Sequence, residues 1–168
     1  SSRLNPRFKS YVIQRVNDST THCSAAACLR RLAACVPSCP STTIGIGDDA
    51  AVVPAGNGRD WLLTSDAVVE DVHFLSDDCR QAVGHKAVGR ALSDLAAMGA
   101  EKPLWLLLNL TAPGDLPVEE MDDLLVGVTK MAGRHGLYLA GGDTTEADKV
   151  SLHVFAVGEV PAGTAVLR

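Results

Sequence analysis

The chain has 168 residues, 46% of them hydrophobic and 21% charged, and a net charge of −5. That balance excludes disordered and fibrous classes and leaves enough chain to bury a sizeable core as one soluble globular domain. The longest apolar run, Leu104 to Leu108, falls far short of the roughly 20 residues of a membrane-spanning helix, so no membrane partner is expected.

Charge is uneven along the chain. Residues 1–43 hold Arg3, Arg7, Lys9, Arg15, Arg30 and Arg31 against Asp18 alone; with a whole-chain net of −5, the remainder carries −10. An acidic body does not attract nucleic acid, and it binds phosphates only after a metal neutralises its carboxylates. The basic, acid-poor start shares its composition with organellar transit peptides but reads as a surface arm or dimer-contact segment. No secretory apolar segment appears near the start, so a cytoplasmic location is the default expectation. Five cysteines, Cys23, Cys28, Cys35, Cys39 and Cys79, are an odd number without the paired C-x2-C spacing of common zinc sites. They read as free thiols.

In chain order, residues 24–36 are Ala/Leu/Arg-rich and predict a helix, stopped by Pro37 and Pro40. Cys28, Leu32, Cys35 and Cys39 would share one face of it. Domain division is expected at 43/44, between this arm and a body of residues 44–168. Trp61 to Ser65 reads as a buried strand, Val68 to Phe74 as a short extended segment and Leu104 to Thr111 as a further strand. Ala82 to Met98 has helical spacing in Ala87, Ala91, Leu95 and Met98. Pro117 opens a second helix through Val118, Met121, Leu125, Val128 and Ala132, with Glu119 and Glu120 at its positive end and His135-Gly136 closing it. Leu137 to Ala140 and Val150 to Val157 read as the last strands, with Gly158 to Pro161 turning out of the second. The fold class is α+β or α/β, with helices covering one face of a sheet.

Four aspartates stand among small or apolar neighbours: Asp49 in Gly45-Ile46-Gly47-Asp48-Asp49, Asp66 after Thr64-Ser65, Asp94 in Ser93-Asp94-Leu95-Ala96-Ala97-Met98-Gly99, and Asp143 in Gly141-Gly142-Asp143-Thr144-Thr145. Carboxylates in such places are costly without a cation. Only Lys86 and Arg90 lie within a helical turn or two of any of them, which makes a bound divalent ion the economical explanation. Oxygen-only ligands favour Mg²⁺, Ca²⁺ or Mn²⁺. Asp94 lies three and four residues from Ala91 and Met98, so its carboxylate projects from the apolar side of its helix. The other segments have structural readings too: a hairpin turn at Asp48-Asp49, a cap at Thr64-Ser65 and a Gly-Gly turn before Asp143. Asp66 and Asp143 would stand just past the carboxyl ends of strands, where ligands of open sheets collect. There is no Walker loop, dinucleotide fingerprint, G-x-S-x-G or H-E-x-x-H in the sequence.

In this order and spacing, Gly45-Ile46-Gly47-Asp48-Asp49-Ala50-Ala51-Val52, Thr64-Ser65-Asp66 with Val69-Glu70-Asp71-Val72-His73-Phe74, Ser93-Asp94-Leu95-Ala96-Ala97-Met98-Gly99-Ala100 and Gly141-Gly142-Asp143-Thr144-Thr145 resemble the amino-terminal domain of thiamine-monophosphate kinases, members of the PurM-like ATPases. The resemblance covers about residues 44–168. It implies a mixed sheet with helices on one face, and a homodimer in which the sheets of two chains form a barrel. It also implies ATP-dependent phosphorylation of thiamine monophosphate to thiamine diphosphate with Mg²⁺ bridging ATP to an aspartate cluster. Carried over, Asp49, Thr64, Ser65, Asp66, Asp94 and Asp143 would be metal ligands, Gly142, Asp143 and Arg168 would meet ATP, and His73 would touch thiamine phosphate. Phosphoryl transfer needs positioning and charge neutralisation more than covalent chemistry, so metals can replace a P-loop lysine. Asp71 stands where the family usually has glycine. The family continues into a second α/β domain that supplies further ligands, so this chain is expected to hold part of a site. The alternatives are a relative acting on another acceptor, and a non-catalytic domain that dimerises and binds metal-nucleotide.

Overall fold

The computed structural model describes residues 25–35 and 41–167. It divides into two units, Ser1–Pro40 and Ser41–Arg168. In the first unit, α1 (Ala25–Cys35) is the helix expected from the Ala/Leu/Arg run. Its Leu29, Leu32 and Cys28 are exposed, and Cys35 is partly buried. Cys23, Cys39 and Arg168 lie outside the described residues.

The second unit contains β1 (Ala51–Gly56), β2 (Arg59–Val69), α2 (Arg80–Ala97), β3 (Lys102–Ala112), α3 (Val118–Arg134), β4 (Tyr138–Glu146) and β5 (Ser151–Pro161). They form one five-stranded sheet in the order β1-β2-β5-β3-β4, mixed because β3 and β4 run parallel while the other pairs are antiparallel. The β2–β5 ladder runs unbroken from Arg59–Pro161 to Val69–Ser151. Each of the other three ladders has a register shift.

Side chains alternate across this sheet with the period of two that strands impose. Leu62, Val68, Leu106, Leu108, Leu110, Leu152, Val154 and Ala156 are buried on one face, together with Val83, Ala87, Val88, Ala91 and Leu95 of α2 and Leu124, Val128 and Ala132 of α3. Among the described residues of this unit, no helix packs on the other face. There Trp61 and Trp105 meet edge to face at 6.2 Å and 77°, and Trp105, Leu107, Phe155 and Tyr138, which pairs with Trp105, are exposed.

The two helices lie side by side at a glycine crossing. A Cβ on Gly84 would stand 2.1 Å from the Leu124 carbonyl oxygen, and one on Gly127 2.1 Å from that of Gln81. Of the expected line Val118–Met121–Leu125–Val128–Ala132, Val128 and Ala132 are buried, Met121 and Leu125 pack partly buried against the core and Val118 is exposed, while Leu124 and Gly127 join the buried stripe. Glycine at the centre of the stripe is invisible to a hydrophobicity count, which explains why Gly127 was not expected there.

Several boundaries differ from expectation. The segment Val68–Phe74 is not a separate strand: Val68 and Val69 end β2, and Glu70 to Phe74 form a turn. Gly158 to Pro161 continue β5 because Glu159 and Val160 pair with β2. β1 escapes the sequence reading, since Pro54 and Gly56 interrupt its apolar pattern.

Candidate metal and phosphate site

The predicted ligands fall on both faces of the sheet. Thr64 and Asp66 pair in register with Ala156 and Val154, which face the helices, whereas Ser65 pairs with Phe155 on the open face. Asp143 pairs with Asn109 of β3 and shares the open face with it. Asp66 and Asp143 thus lie within strands rather than past their ends. Three strand spacings separate β2 from β4 in the order β2-β5-β3-β4, about 14 Å at the usual interstrand distance.

On the helix face the Thr64 hydroxyl, 5% exposed, donates to Asp94 Oδ2 at 2.8 Å. This bond joins β2 to α2 and fixes the half-buried Asp94 carboxylate on the apolar side of its helix, as the sequence periodicity predicts. One turn earlier on α2, Arg90 forks onto Asp66, with Nε to Oδ2 at 2.9 Å and Nη2 to Oδ1 at 2.8 Å. The hydrogen bond to Asp66 is the largest influence raising the Arg90 pKa; burial opposes it, and the charges of Asp66 and Asp94 add to it. The cation that meets Asp66 in the structure is Arg90, where the sequence reading expected a bound ion. Lys86 instead reaches the carbonyl oxygen of His73.

The sequence reading named Arg90 as a nearby cation but preferred a bound ion, although its place four residues before Asp94 put it on the same helical face. Arg90→Met should lower the urea-unfolding free energy by about 2 kcal/mol, the range for a lost charge-assisted bond at a half-buried carboxylate. An unchanged midpoint would show that the fork carries no stability.

Among the described residues, no group of three or more His, Cys, Asp or Glu side chains could hold a metal ion alone. The donors present are hydroxyl and carboxylate oxygens, which fit a hard divalent ion that keeps waters and takes one or two protein carboxylates plus substrate phosphates. Asp49 lies two residues ahead of Ala51, which pairs with Leu63, and its amide donates to Asp48 Oδ1 at 2.9 Å. In β4, Thr145 Oγ1 donates to Asp143 Oδ2 at 3.4 Å. Gly142 lies so close to β3 that a Cβ would stand 1.8 Å from the Leu108 carbonyl oxygen. A cleft of about 500 Å³ opens past the carboxyl ends of β3 and β4, lined by Asp115, Glu146 and Asp148 with Pro113, Gly114 and Ala147.

Residues 47–160 match the model of the AIR synthase related protein family, N-terminal domain. The chain belongs to that family. This AIR synthase related domain is 38% identical over 130 residues to the thiamine-monophosphate kinase of Bacillus subtilis, covering 76% of this chain and 40% of the relative. It is 36% identical over 131 residues to that of Mycobacterium tuberculosis, covering 77% and 39%. The chain thus spans about two fifths of the length of these curated relatives. Among solved structures, tt0281 from Thermus thermophilus superposes with a TM-score of 0.74 at 33% identity, over 83% of this chain and 45% of that one. AaThiL complexed with AMPPCP and TMP superposes with a TM-score of 0.68 at 28% identity, over 96% and 45%.

His73 of the domain lies in the turn after β2, not in a strand. Its Nδ1 accepts the Val69 amide at 3.1 Å, so the neutral ring carries its proton on Nε2. Asp71, at φ 61°, takes the left-handed conformation that the family's usual glycine would adopt freely and that aspartate tolerates better than most residues. Among the described residues, no helix is long and apolar enough to cross a membrane.

Proposed function

We propose that this chain is the ATP- and Mg²⁺-binding part of a thiamine-monophosphate kinase, acting with ATP to phosphorylate thiamine monophosphate to thiamine diphosphate. The observation that carries this reading is the Thr64–Asp94 pair, which sets a carboxylate and a hydroxyl at the sheet–helix junction in a chain homologous to thiamine-monophosphate kinases. Asp94, Thr64 and Asp66 would serve ions on the helix face of the sheet, Ser65 and Asp143 on the open face, and Asp49 from the bend before β1. Separate ions joined by nucleotide phosphates suit a protein that gathers no three-carboxylate cage among the described residues. Gly142, Asp143 and Arg168 would meet ATP, and His73 would offer its Nε2–H to the phosphate of the acceptor. Bound Mg²⁺ would neutralise phosphate charge, the main requirement of phosphoryl transfer. Calorimetric titration with ATP tests the reading: binding should require Mg²⁺, and equal affinity in the presence of a chelator sinks it.

The open sheet face fits a homodimer. Trp105, Leu107, Tyr138 and Phe155 form an exposed apolar surface of the kind that marks association sites, and a second copy of the same face would cover it. Trp105→Glu should shift the protein from dimer to monomer in sedimentation at micromolar concentration; an unaltered mass would reject this face as the interface. A domain that dimerises and binds metal-nucleotide without turnover is the second reading. ADP release driven by thiamine monophosphate separates the two.

A further inference from the structure

The turn that carries His73 is tied down by Lys86 of α2, which reaches the His73 carbonyl oxygen, and by three further sets of contacts. Internally, His73 N and Val72 N donate to the Val69 carbonyl at 2.8 and 3.2 Å, and Asp71 N donates to the Phe74 carbonyl at 2.8 Å. Toward the β4–β5 connection, Glu70 N donates to the Val150 carbonyl and Val150 N donates to Glu70 Oε2, both at 3.0 Å. At the apex, Lys149 Nζ reaches Asp71 Oδ2 at 2.6 Å.

The apex residue is also the strained one. Asp71 has φ 61°, a conformation that costs a residue with a Cβ of order 1 kcal/mol. Its ion pair comes from a residue 78 positions away. The same turn brings the imidazole over the Val69 amide, the contact that selects the Nε2–H tautomer.

We propose that Asp71 and Lys149 are positioning residues that latch this turn, so that His73 is held in a single tautomer with its Nε2–H free to donate to a phosphomonoester oxygen. The ligand half of this statement rests on the role given to His73 above; the latch half does not. Lys149 is displaced upward in pKa chiefly by its hydrogen bond to Asp71 and then by the charge of that carboxylate. In a chain with glycine at position 71 the turn would need no such partner.

The test is nitrogen-15 NMR of the histidine rings in the full chain, at a pH where the imidazoles are neutral, with the His73 signals assigned by His73→Gln. The unaltered protein should show His73 as one Nε2–H tautomer. Lys149→Met should give exchange-averaged shifts from both tautomers. Adding Asp71→Gly to Lys149→Met should restore the single form, because glycine adopts the turn without strain. An unmixed Nε2–H signal in Lys149→Met, or a double variant that stays mixed, overturns the latch. In the kinase assay, Lys149→Met should raise KM for thiamine monophosphate by about fivefold with kcat little changed, the pattern of lost ground-state binding. If His73→Gln leaves that KM unmoved, the ligand role of His73 fails while the NMR result still decides the latch.

Discussion

Gly127→Ala should be among the most destabilising single substitutions in the body of this protein. Its Cβ would lie 2.1 Å from the carbonyl oxygen of Gln81 and 3.0 Å from Gln81 Cα, and both are backbone atoms of α2 that cannot rotate aside. Relief requires moving two helices apart along a buried seam. Overpacking of this kind costs about 3 kcal/mol, or a fall in Tm of roughly 6–12 °C for a domain of this size. Gly84→Ala should behave alike, since its Cβ meets the Leu124 oxygen at 2.1 Å. Gly133→Ala supplies the control: it lies in the same helix with nothing within 4 Å of its Cβ. It should therefore gain about 0.5–1 kcal/mol from helix propensity alone. Thermal melts of Gly127→Ala and Gly133→Ala that move in the same direction would refute the close crossing.

Asp94→Asn should weaken Mg²⁺-dependent ATP binding by about 10- to 100-fold, or roughly 1.4–2.8 kcal/mol, while leaving the fold intact. The amide oxygen of asparagine can still accept the Thr64 hydroxyl now 2.8 Å from Oδ2, so the β2–α2 link survives and only the charge is lost. Arg90 keeps its fork onto Asp66 and loses only the weaker influence of Asp94. Calorimetry with Mg²⁺ and ATP, beside an unfolding curve, separates binding from stability. Affinity within twofold of the unaltered protein would remove Asp94 from the metal site.

Much of the fold was legible because its signals are local. The periodicity of Ala87, Ala91, Leu95 and Met98 gave the buried face of α2 and, with it, the inward direction of Asp94. Pro117, Glu119, Glu120 and His135-Gly136 marked the ends of α3 to within a residue or two. What escaped depends on partners distant in sequence. β5 extends to Pro161 because β2 lies alongside it, and β4 extends past Ala140 because β3 offers it a parallel edge as far as Ala112–Glu146. The Arg90–Asp66 fork spans 24 residues and the Lys149–Asp71 pair 78. Charge sign in the sequence allows such pairs but does not choose them. The motifs around the four aspartates gave the family, later matched over residues 47–160; the predicted strand Trp61 to Ser65 already sends Thr64 and Ser65 to opposite sides, but which side meets the helices comes from the pairing with β5.

That division gives the unbroken β2–β5 ladder a meaning for how the gene can vary. Because alternate residues of β2 face opposite compartments, a one-residue insertion between Trp61 and Ser65 would exchange the hydroxyls of Thr64 and Ser65 across the sheet and turn Asp66 away from Arg90. The other ladders already absorb an extra residue, near Gly56 in β1, near Ala140 in β4 and near Leu104 in β3. The sheet thus has a reading frame, fixed along β2 and β5 and forgiving at its margins. Length changes should be tolerated at those margins and eliminated from the two strands that keep the frame.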